Sequence, residues 1–359
     1  MELFTRKTDQ NPSSFQLYVT SLNYIIDGNI KKAIECLKQS VRIDTNNIDA
    51  YLKLGILYRR AGQPIRAFRI HRELTIRPDL TRQHQMQIFQ NLVLDLKDMD
   101  DFPRALVYVD KILEIDKKSV WAWDKKIEIF ERLEDWKNAF TAFKLRNDNQ
   151  SSEVQLRLAC YKVEEGRVLM QKQEYGNARE CFKEAIRLYP QLPVSYVYMG
   201  DTYSAENDAE QALASWEQLI MEAPEQSSPV FMRFEKVTFD EGHFDDMERI
   251  YAYVIEKAPQ NIKALVCLGE FHFKKGEYDK AIGMMNRVLE IDPKSLIAHR
   301  NLARYLEKQN DMIKYLDIIH KMTELMPLRL TYKCSNCKTE LMEFEVRCPS
   351  CKAWGTITD

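Results

Sequence analysis

Two pairs of cysteines near the carboxyl end of the chain have the spacing of a metal site. Cys334 and Cys337 form one Cys-x2-Cys pair, and after ten residues Cys348 and Cys351 form the other. Two such pairs can bring four thiolates to one tetrahedral ion, either Zn²⁺ or a mononuclear iron ion. Since so short a tail buries little apolar area, the ion must supply its folding free energy. We predict one Zn²⁺ or Fe ion bound by these four cysteines.

The residues next to the knuckles indicate a structural role for the site. All four coordination positions are filled by the protein, so no open position remains for a substrate, and Lewis-acid catalysis is not expected. Trp354 is expected to pack over the second knuckle as part of the core of the ribbon. Four basic residues flank the knuckles and are expected to offset the thiolate charge: Lys333, Lys338, Arg347 and Lys352.

The rest of the composition is typical of a folded protein in a reducing compartment. The chain has 359 residues, of which 45% are hydrophobic and 30% charged, with a formal net charge of -2. This balance gives no general signal for nucleic acid. The other four cysteines are scattered through helical patterns, which argues against two disulfides in the tail. Without an apolar leader or an apolar run of about 18 residues, the sequence predicts no transmembrane segment and a cytoplasmic protein.

Internal repeats predict the fold from residue 14 to residue 327. Small residues recur at fixed offsets, as in Gly200 followed by Ala212 and Gly269 followed by Ala281, and prolines such as Pro224 follow. This pattern resembles the tetratricopeptide repeat, a helix pair of about 34 residues in which small residues stand where helices cross. The predicted unit starts are Ser14, Ile48, Met86, Val120, Ala159, Pro193, Ser228, Ile262 and Leu296.

We therefore predict an all-α superhelix of about nine helix pairs, followed by a small rubredoxin-like or zinc-ribbon β domain. The expected division is an N-terminal segment at 1–13, the repeat array at 14–327 and the metal ribbon at 328–359. Two spacings between consecutive unit starts, from Ile48 to Met86 and from Val120 to Ala159, are longer than the others. The extra residues lie near 80–85 and 147–153 and predict longer loops there. The linker before Cys334 is short and alternates apolar with polar residues, so the ribbon is expected to dock on the last helix pair.

Charged residues of the array are candidates for binding protein partners. Arginine without lysine between Tyr58 and Arg82 favours planar recognition of carboxylate or phosphate, although a plain basic solvent face remains open. The tetratricopeptide resemblance also implies that certain positions of the first helix of each unit line a groove. The candidates from both arguments are Arg59, Arg60, Arg66, Arg69, Asp124, Glu128, Arg167, Asp201, Lys236 and Glu270.

No enzyme signature is found. The sequence lacks a dinucleotide or phosphate-binding glycine loop, a Gly-x-Ser-x-Gly elbow and a His-Glu-x-x-His pair, and its six histidines are dispersed. A catalytic site is therefore not predicted. The mixture of charged and apolar groove positions instead favours binding of peptides or proteins.

The two ends of the chain resemble one known family. The tail from Tyr332 to Ile357, with Cys348-Pro349-Ser350-Cys351 at its centre, and the early repeat from Leu54 to His71 look like the lipopolysaccharide assembly protein B (LapB) family of Gram-negative bacteria. The resemblance implies a non-enzymatic adaptor that works with the membrane protease FtsH to control the lipid A precursor deacetylase. It also implies contacts with lipopolysaccharide assembly proteins and a ribbon packed against the repeats.

The chain departs from this family in lacking its amino-terminal transmembrane helix, which puts membrane attachment and the protease partnership in question. A peripheral position at the inner membrane through partners, and a homo-oligomer, are left open. Two other functions are open as well. One is an electron-transfer protein with an Fe(Cys)4 centre and the repeats as a docking platform, and the other is a generic co-chaperone.

Overall fold

A computed structural model describes residues 12–78, 80–147, 151–240, 242, 244–325, 332–341, 346–354 and 356–358. The chain divides into two compact units, Met1–Ser195 and Tyr196–Asp359. The described part of the first unit consists of helices in antiparallel pairs: α1 (Ser14–Ile26), α2 (Ile30–Ile43), α3 (Ile48–Arg60), α4 (Pro64–Leu74), α5 (Arg82–Lys97), α6 (Phe102–Ile115), α7 (Val120–Arg132), α8 (Trp136–Arg146), α9 (Ser152–Gln171) and α10 (Tyr175–Leu188).

The next helix, α11 (Pro193–Ala205), begins at the boundary and continues in the second unit. The remaining helices are α12 (Ala209–Glu222), α13 (Phe231–Asp240), α14 (Phe244–Lys257), α15 (Ile262–Lys274), α16 (Tyr278–Ile291), α17 (Leu296–Gln309) and α18 (Met312–Leu325). Two short 3-10 turns precede α13. Three short strands follow α18: β1 (Tyr332–Cys334), β2 (Glu340–Leu341) and β3 (Ile357–Thr358). The predicted fold class, tetratricopeptide helix pairs with a small carboxyl-terminal β domain, is confirmed.

Most helix pairs begin where the repeat pattern predicts, and the exceptions have local causes. Six of the nine predicted starts, including Ile48 and Val120, are the first residue of a helix. The prediction that extra residues lengthen loops is wrong for the fifth pair, since they extend α9 to 20 residues. Its start moves to Ser152 because the Ser151 side chain accepts a hydrogen bond from the Val154 amide and caps the helix early.

In the third pair, some of the extra residues lie in the loop before α5 and the others lie in α5 itself. The loop at 75–81 is longer than the connections between most units, as predicted, but α5 also grows to 16 residues and begins at Arg82. The hydroxyl of Thr81 accepts a hydrogen bond from the His84 amide, which supplies the cap for this earlier start.

Small residues allow the two helices of a pair to approach closely, as the repeat pattern predicts. A Cβ atom built on Gly55, Gly166 or Gly200 would overlap the side chain of His71, Phe182 or Trp216 on the facing helix. The alanine that the repeat pattern places on the second helix is fully buried in five pairs: Ala67, Ala105, Ala178, Ala212 and Ala281. Each large side chain therefore lies directly on a facing glycine.

Alanine in place of Gly200 should lower the free energy of unfolding by about 1–3 kcal/mol. The new methyl would meet the indole of Trp216, which is 1% exposed and donates a hydrogen bond to the Val197 carbonyl. Urea denaturation followed by circular dichroism measures the change. Gly283→Ala is the matched control, because nothing lies within 4 Å of its Cβ position. The control should stabilise by about 1 kcal/mol, since alanine is the better helix former.

One turn geometry recurs between the two helices of each pair. Every described residue with positive φ, apart from two in the ribbon, lies in such a turn; four are glycines and five are not, for example Glu134 and Asn310. In the eight turns whose next residue the structure describes, the amide of that residue bonds a carbonyl five residues back, as in Asp135 to Phe130 at 2.9 Å. This arrangement is the Schellman motif, and it satisfies carbonyls that the helix end would leave free.

The ribbon is a three-stranded antiparallel sheet with β1 in the centre. Lys333 pairs with Glu340 of β2 and with Thr358 of β3. Its hydrophobic cluster contains only the four cysteines, Leu341 and Ile357 among the described residues. A sheet this small cannot be held by apolar burial alone. The linker at 326–331 lies outside the described residues, so docking of the ribbon on α18 stays a prediction.

Candidate metal centre and charged helix faces

The four predicted cysteines come together at one end of the ribbon. Cys334 lies at the end of β1 and Cys337 in the turn after it, while Cys348 and Cys351 belong to the second knuckle. Their sulfur atoms all lie within 4.8 Å of one another. Cys334 and Cys348 are fully buried and the other two partly exposed. The spacing in the sequence thus identified a real cluster.

The sulfur positions fit a four-coordinate ion and do not fit disulfides. The Sγ atoms of Cys334 and Cys351 are 3.7 Å apart, and those of Cys337 and Cys348 are 3.6 Å apart. A tetrahedral ion with metal–sulfur bonds of about 2.3 Å separates its sulfur ligands by about 3.8 Å, whereas a disulfide needs about 2.05 Å. Four thiolates suit zinc and mononuclear iron alike, so the geometry fits either ion.

Polar groups of the ribbon are placed to stabilise negative sulfur. The Thr356 hydroxyl lies 3.2 Å from Cys334 Sγ, and the Thr339 hydroxyl lies 3.1 Å from Cys337 Sγ. The amide side chain of Asn336 donates to Cys351 Sγ at 3.4 Å. Such hydrogen bonds to ligand atoms orient them and tune their charge. Sequence reasoning assigned this role to the flanking basic residues and missed the hydroxyls, although Thr339 lies only two residues after a cysteine.

The same contacts shift the thiol pKa values. The Thr339 hydroxyl, helped by the Thr339 amide, lowers the pKa of Cys337 to about 6. The Thr356 hydroxyl, followed by the Cys337 amide, lowers the pKa of Cys334. The Cys351 amide favours a thiolate at Cys348, but burial and hydrogen bonds with the neighbouring sulfurs outweigh it and raise this pKa to about 11. The polar contacts of the ribbon thus favour a thiolate at Cys337 and at Cys334, and the thiolate is the form in which cysteine binds a metal ion.

Both knuckles close through a lysine in the left-handed conformation. Lys338 and Lys352 each have φ of 61°. Their amides donate to the carbonyls of Cys334 and Cys348 at 2.8 and 2.9 Å. A residue with a Cβ is strained in this conformation, which glycine adopts freely.

The expectation that Trp354 belongs to the ribbon core is wrong. Its side chain is 69% exposed, and the guanidinium of Arg347 lies 5.1 Å from the ring centroid. Arg347 in turn donates to the Lys352 carbonyl at 3.0 Å. The ring thus lies at the surface against Arg347 and is not part of the cluster that the cysteines form with Leu341 and Ile357.

Among the candidate partner-binding residues, Arg59 is engaged within the first unit. Its guanidinium pairs with Asp95 at 2.7 Å and donates to the Asn91 side chain at 3.1 Å. The other carboxylate oxygen of Asp95 accepts a short hydrogen bond from His71, whose second ring nitrogen faces the Leu52 carbonyl. The side chains of His71 and Asp95 are fully buried. This network joins the second helix pair to the third.

Several other candidates also pair with a residue on a neighbouring helix. Asp201 accepts from Arg233 at 2.7 Å and Glu270 pairs with Arg304; these partners are 32 and 34 residues apart, one unit along the chain. Glu128 lies between Lys97 and Lys125, and their hydrogen bonds keep its pKa below the usual value, although burial acts in the opposite direction. Asp124 pairs with Arg146 on α8, whereas Arg167 pairs with Glu164 within its own helix, α9.

The remaining candidates are exposed: Arg60, Arg66, Arg69 and Lys236. Asp124 and Glu128 also line an open groove of about 710 Å³ on α7, α8 and α9, together with Arg157 and Tyr161. Sequence reasoning did not identify the groove, because it depends on the unpredicted extension of α9. The role of all ten residues in partner binding stays a prediction.

Comparison with known proteins supports the repeats and the resemblance at the two ends. Models of the tetratricopeptide repeat match residues 23–62, 159–192 and 238–310. Lipopolysaccharide assembly protein B of Haemophilus influenzae is 22% identical over 98% of this chain and 92% of its own length. The protein of the same name from Escherichia coli K12 is 21% identical over 95% of this chain and 88% of its own. The predicted resemblance is confirmed along nearly the whole chain.

Among solved structures, a tetratricopeptide repeat protein from Parabacteroides merdae is 16% identical and covers 82% of this chain and 100% of its own, with a TM-score of 0.38. In the part of the chain that the structure describes, no helix combines the length and the apolar composition needed to cross a membrane.

Proposed function

We propose that this chain is a non-enzymatic scaffold that binds proteins and regulates lipopolysaccharide assembly. The observation that carries the proposal is the similarity to proteins named lipopolysaccharide assembly protein B, which extends over 98% of the chain and includes the cysteine tail. The helix pairs supply surfaces of the kind that stacked repeats use for partners. The groove on α7, α8 and α9, with acidic and basic side chains beside Tyr161, is a candidate binding surface.

In its finer form, the proposal is that the scaffold acts with the protease FtsH to set the level of the lipid A precursor deacetylase. It acts in the cytoplasm, or at the inner membrane through its partners. The family resemblance supports this assignment. The metal centre contributes by holding the ribbon in one shape, so that its exposed groups, Trp354 among them, form part of the partner surface.

Co-purification from the native host tests the proposal. The tagged full-length chain is expected to recover the protease, the deacetylase or lipopolysaccharide assembly proteins, and deletion of the gene should change the half-life of the deacetylase. A variant with Asp124→Lys and Glu128→Lys tests the groove. The matched control is Glu290→Lys and Glu307→Lys, which reverses two exposed acidic residues outside the groove. Recovery of none of these proteins, with an unchanged half-life, would refute the pathway assignment.

Electron transfer through an iron centre is the other function that the four sulfurs permit. Metal analysis of protein purified without chelators separates the two, because zinc is colourless and cannot change its oxidation state. Iron that is reduced and reoxidised reversibly in the native protein would favour electron transfer.

A further inference from the structure

The second helices of the first three pairs form a continuous basic surface in the first unit. We call the exposed side chains of Lys38 on α2, Arg66, Arg69 and Arg72 on α4, and Arg104 on α6 the basic face. Two aromatic rings join the helices. Lys38 and Arg66 each lie 5.8 Å from the ring centroid of Tyr58. Arg72 and Arg104 lie 5.7 and 5.4 Å from that of Phe68.

Unlike Arg59, most of these cations have no carboxylate partner. Within the described ranges, Lys38, Arg66, Arg69 and Arg72 form no ion pair, whereas Arg104 pairs with Asp101. On the exposed side of α4, Glu73 is the acidic neighbour of three arginines. Stacking on aromatic rings positions the guanidiniums but does not neutralise them. The basic face therefore has cations available to bind an external anion.

Exposed aliphatic side chains lie among the same cations. Ile65 is 59% exposed and shares one face of α4 with Arg69 and Arg72, at the spacing i, i+4 and i+7. On α6, Val107 is 53% exposed and follows Arg104 by three residues. Cations around a protruding aliphatic side chain are typical of surfaces that lie in a membrane interface, where the charges meet headgroups and the aliphatic group enters the acyl boundary.

We propose that the basic face binds the surface of a bilayer that contains anionic phospholipids. Guanidinium groups match phosphate oxygens through paired hydrogen bonds, and cations spread over three helices suit many headgroups in one plane. An acidic peptide is the competing occupant. It would satisfy the charges but would leave Ile65 and Val107, which lie exposed among the cations, without a role. This inference does not depend on the proposed function.

Vesicle flotation with the full-length chain tests the proposal. The protein is expected to float with vesicles of phosphatidylglycerol and phosphatidylethanolamine, to lose this binding as salt rises, and not to float with phosphatidylcholine alone. Arg66→Glu, Arg69→Glu and Arg72→Glu together should weaken partitioning at least about tenfold. Ile65→Ser should weaken it by about threefold and leave the salt dependence unchanged.

A matched triple variant controls for net charge. Lys294→Glu, Arg300→Glu and Lys308→Glu change the same number of exposed cations in the second unit and should stay within about twofold of the parent. Circular dichroism checks that each variant is folded. Equal loss in both triple variants, or no flotation of the parent protein, would overturn the proposal. Binding of a poly-glutamate peptide that requires Arg69, without flotation, would assign the face to an acidic polypeptide instead.

Discussion

Serine in place of Cys334 and Cys351 is expected to unfold the ribbon and leave the helices folded. The apparent binding free energy of a structural zinc ion is about 10–16 kcal/mol, and little else stabilises strands of two or three residues. Metal content should fall from one ion per chain to none, as measured by mass spectrometry. Proteases should then cut within the ribbon, while the helical circular dichroism should change little.

Substitution of Thr356 tests the same metal site with a smaller expected loss of affinity, because all four cysteines are kept. Thr356→Val removes the hydroxyl at 3.2 Å from Cys334 Sγ and should weaken metal binding by about 10–100-fold in competition with a chelator. Thr356→Ser keeps the hydroxyl and should retain the parent affinity. A ribbon that resists proteolysis equally well with two serines in place of cysteines would show that the ion is not what folds it.

Removal of the Asp95 carboxylate is the second change with a large expected effect. Asp95→Ala leaves the Arg59 guanidinium without its partner, at 14% side-chain exposure, and leaves the buried His71 without its acceptor. Breaking a buried pair from one side costs about 3–5 kcal/mol. We expect the free energy of unfolding to fall by this amount in urea denaturation, because the network joins two helix pairs.

Asp201→Ala is the matched control, since Asp201 also bonds an arginine on a helix of the next pair. Arg233 is 40% exposed and Asp201 23%, so the loss should be below about 1 kcal/mol. If the two variants are equally stable, the buried network contributes no more than an exposed ion pair. The double variant Arg59→Met and Asp95→Leu should recover the part of the loss that comes from the unpaired arginine charge, while the buried His71 still lacks its acceptor.

The fold and the cysteine cluster were predictable because both are encoded by local spacing. Gly200 and Ala212 stand at offsets that place a small residue on each facing helix, and Cys334 and Cys337 lie in one short turn. The extension of α9 was not predicted, because the sequence alone does not show that the Ser151 side chain caps a helix. A capping residue determines where the following helix begins, and the spacing of small residues in the repeats does not define that first residue.

Side-chain partners across helices were not predictable in the same way. Arg59 was placed among the binding candidates by its position in the first helix, yet Asp95 is 36 residues away and lies on another pair. His71 occupies a place that an aromatic ring fills in other units, which gave no sign of a buried carboxylate beside it. Trp354 was assigned to the ribbon core, yet its ring is exposed and lies against Arg347. The partners and the burial of these side chains depend on distances between helices and loops, which only the folded structure defines.

The repeated turn between helices bears on how the chain folds during synthesis. Its closing hydrogen bond joins residues five apart, as in Asp208 to Tyr203 at 3.0 Å, so it needs no distant part of the sequence. Within each compact unit, the helix contacts are mainly between consecutive elements. Contact order is therefore low, and low contact order favours rapid folding. Each helix pair can thus form as it leaves the ribosome, well before the last cysteine is translated.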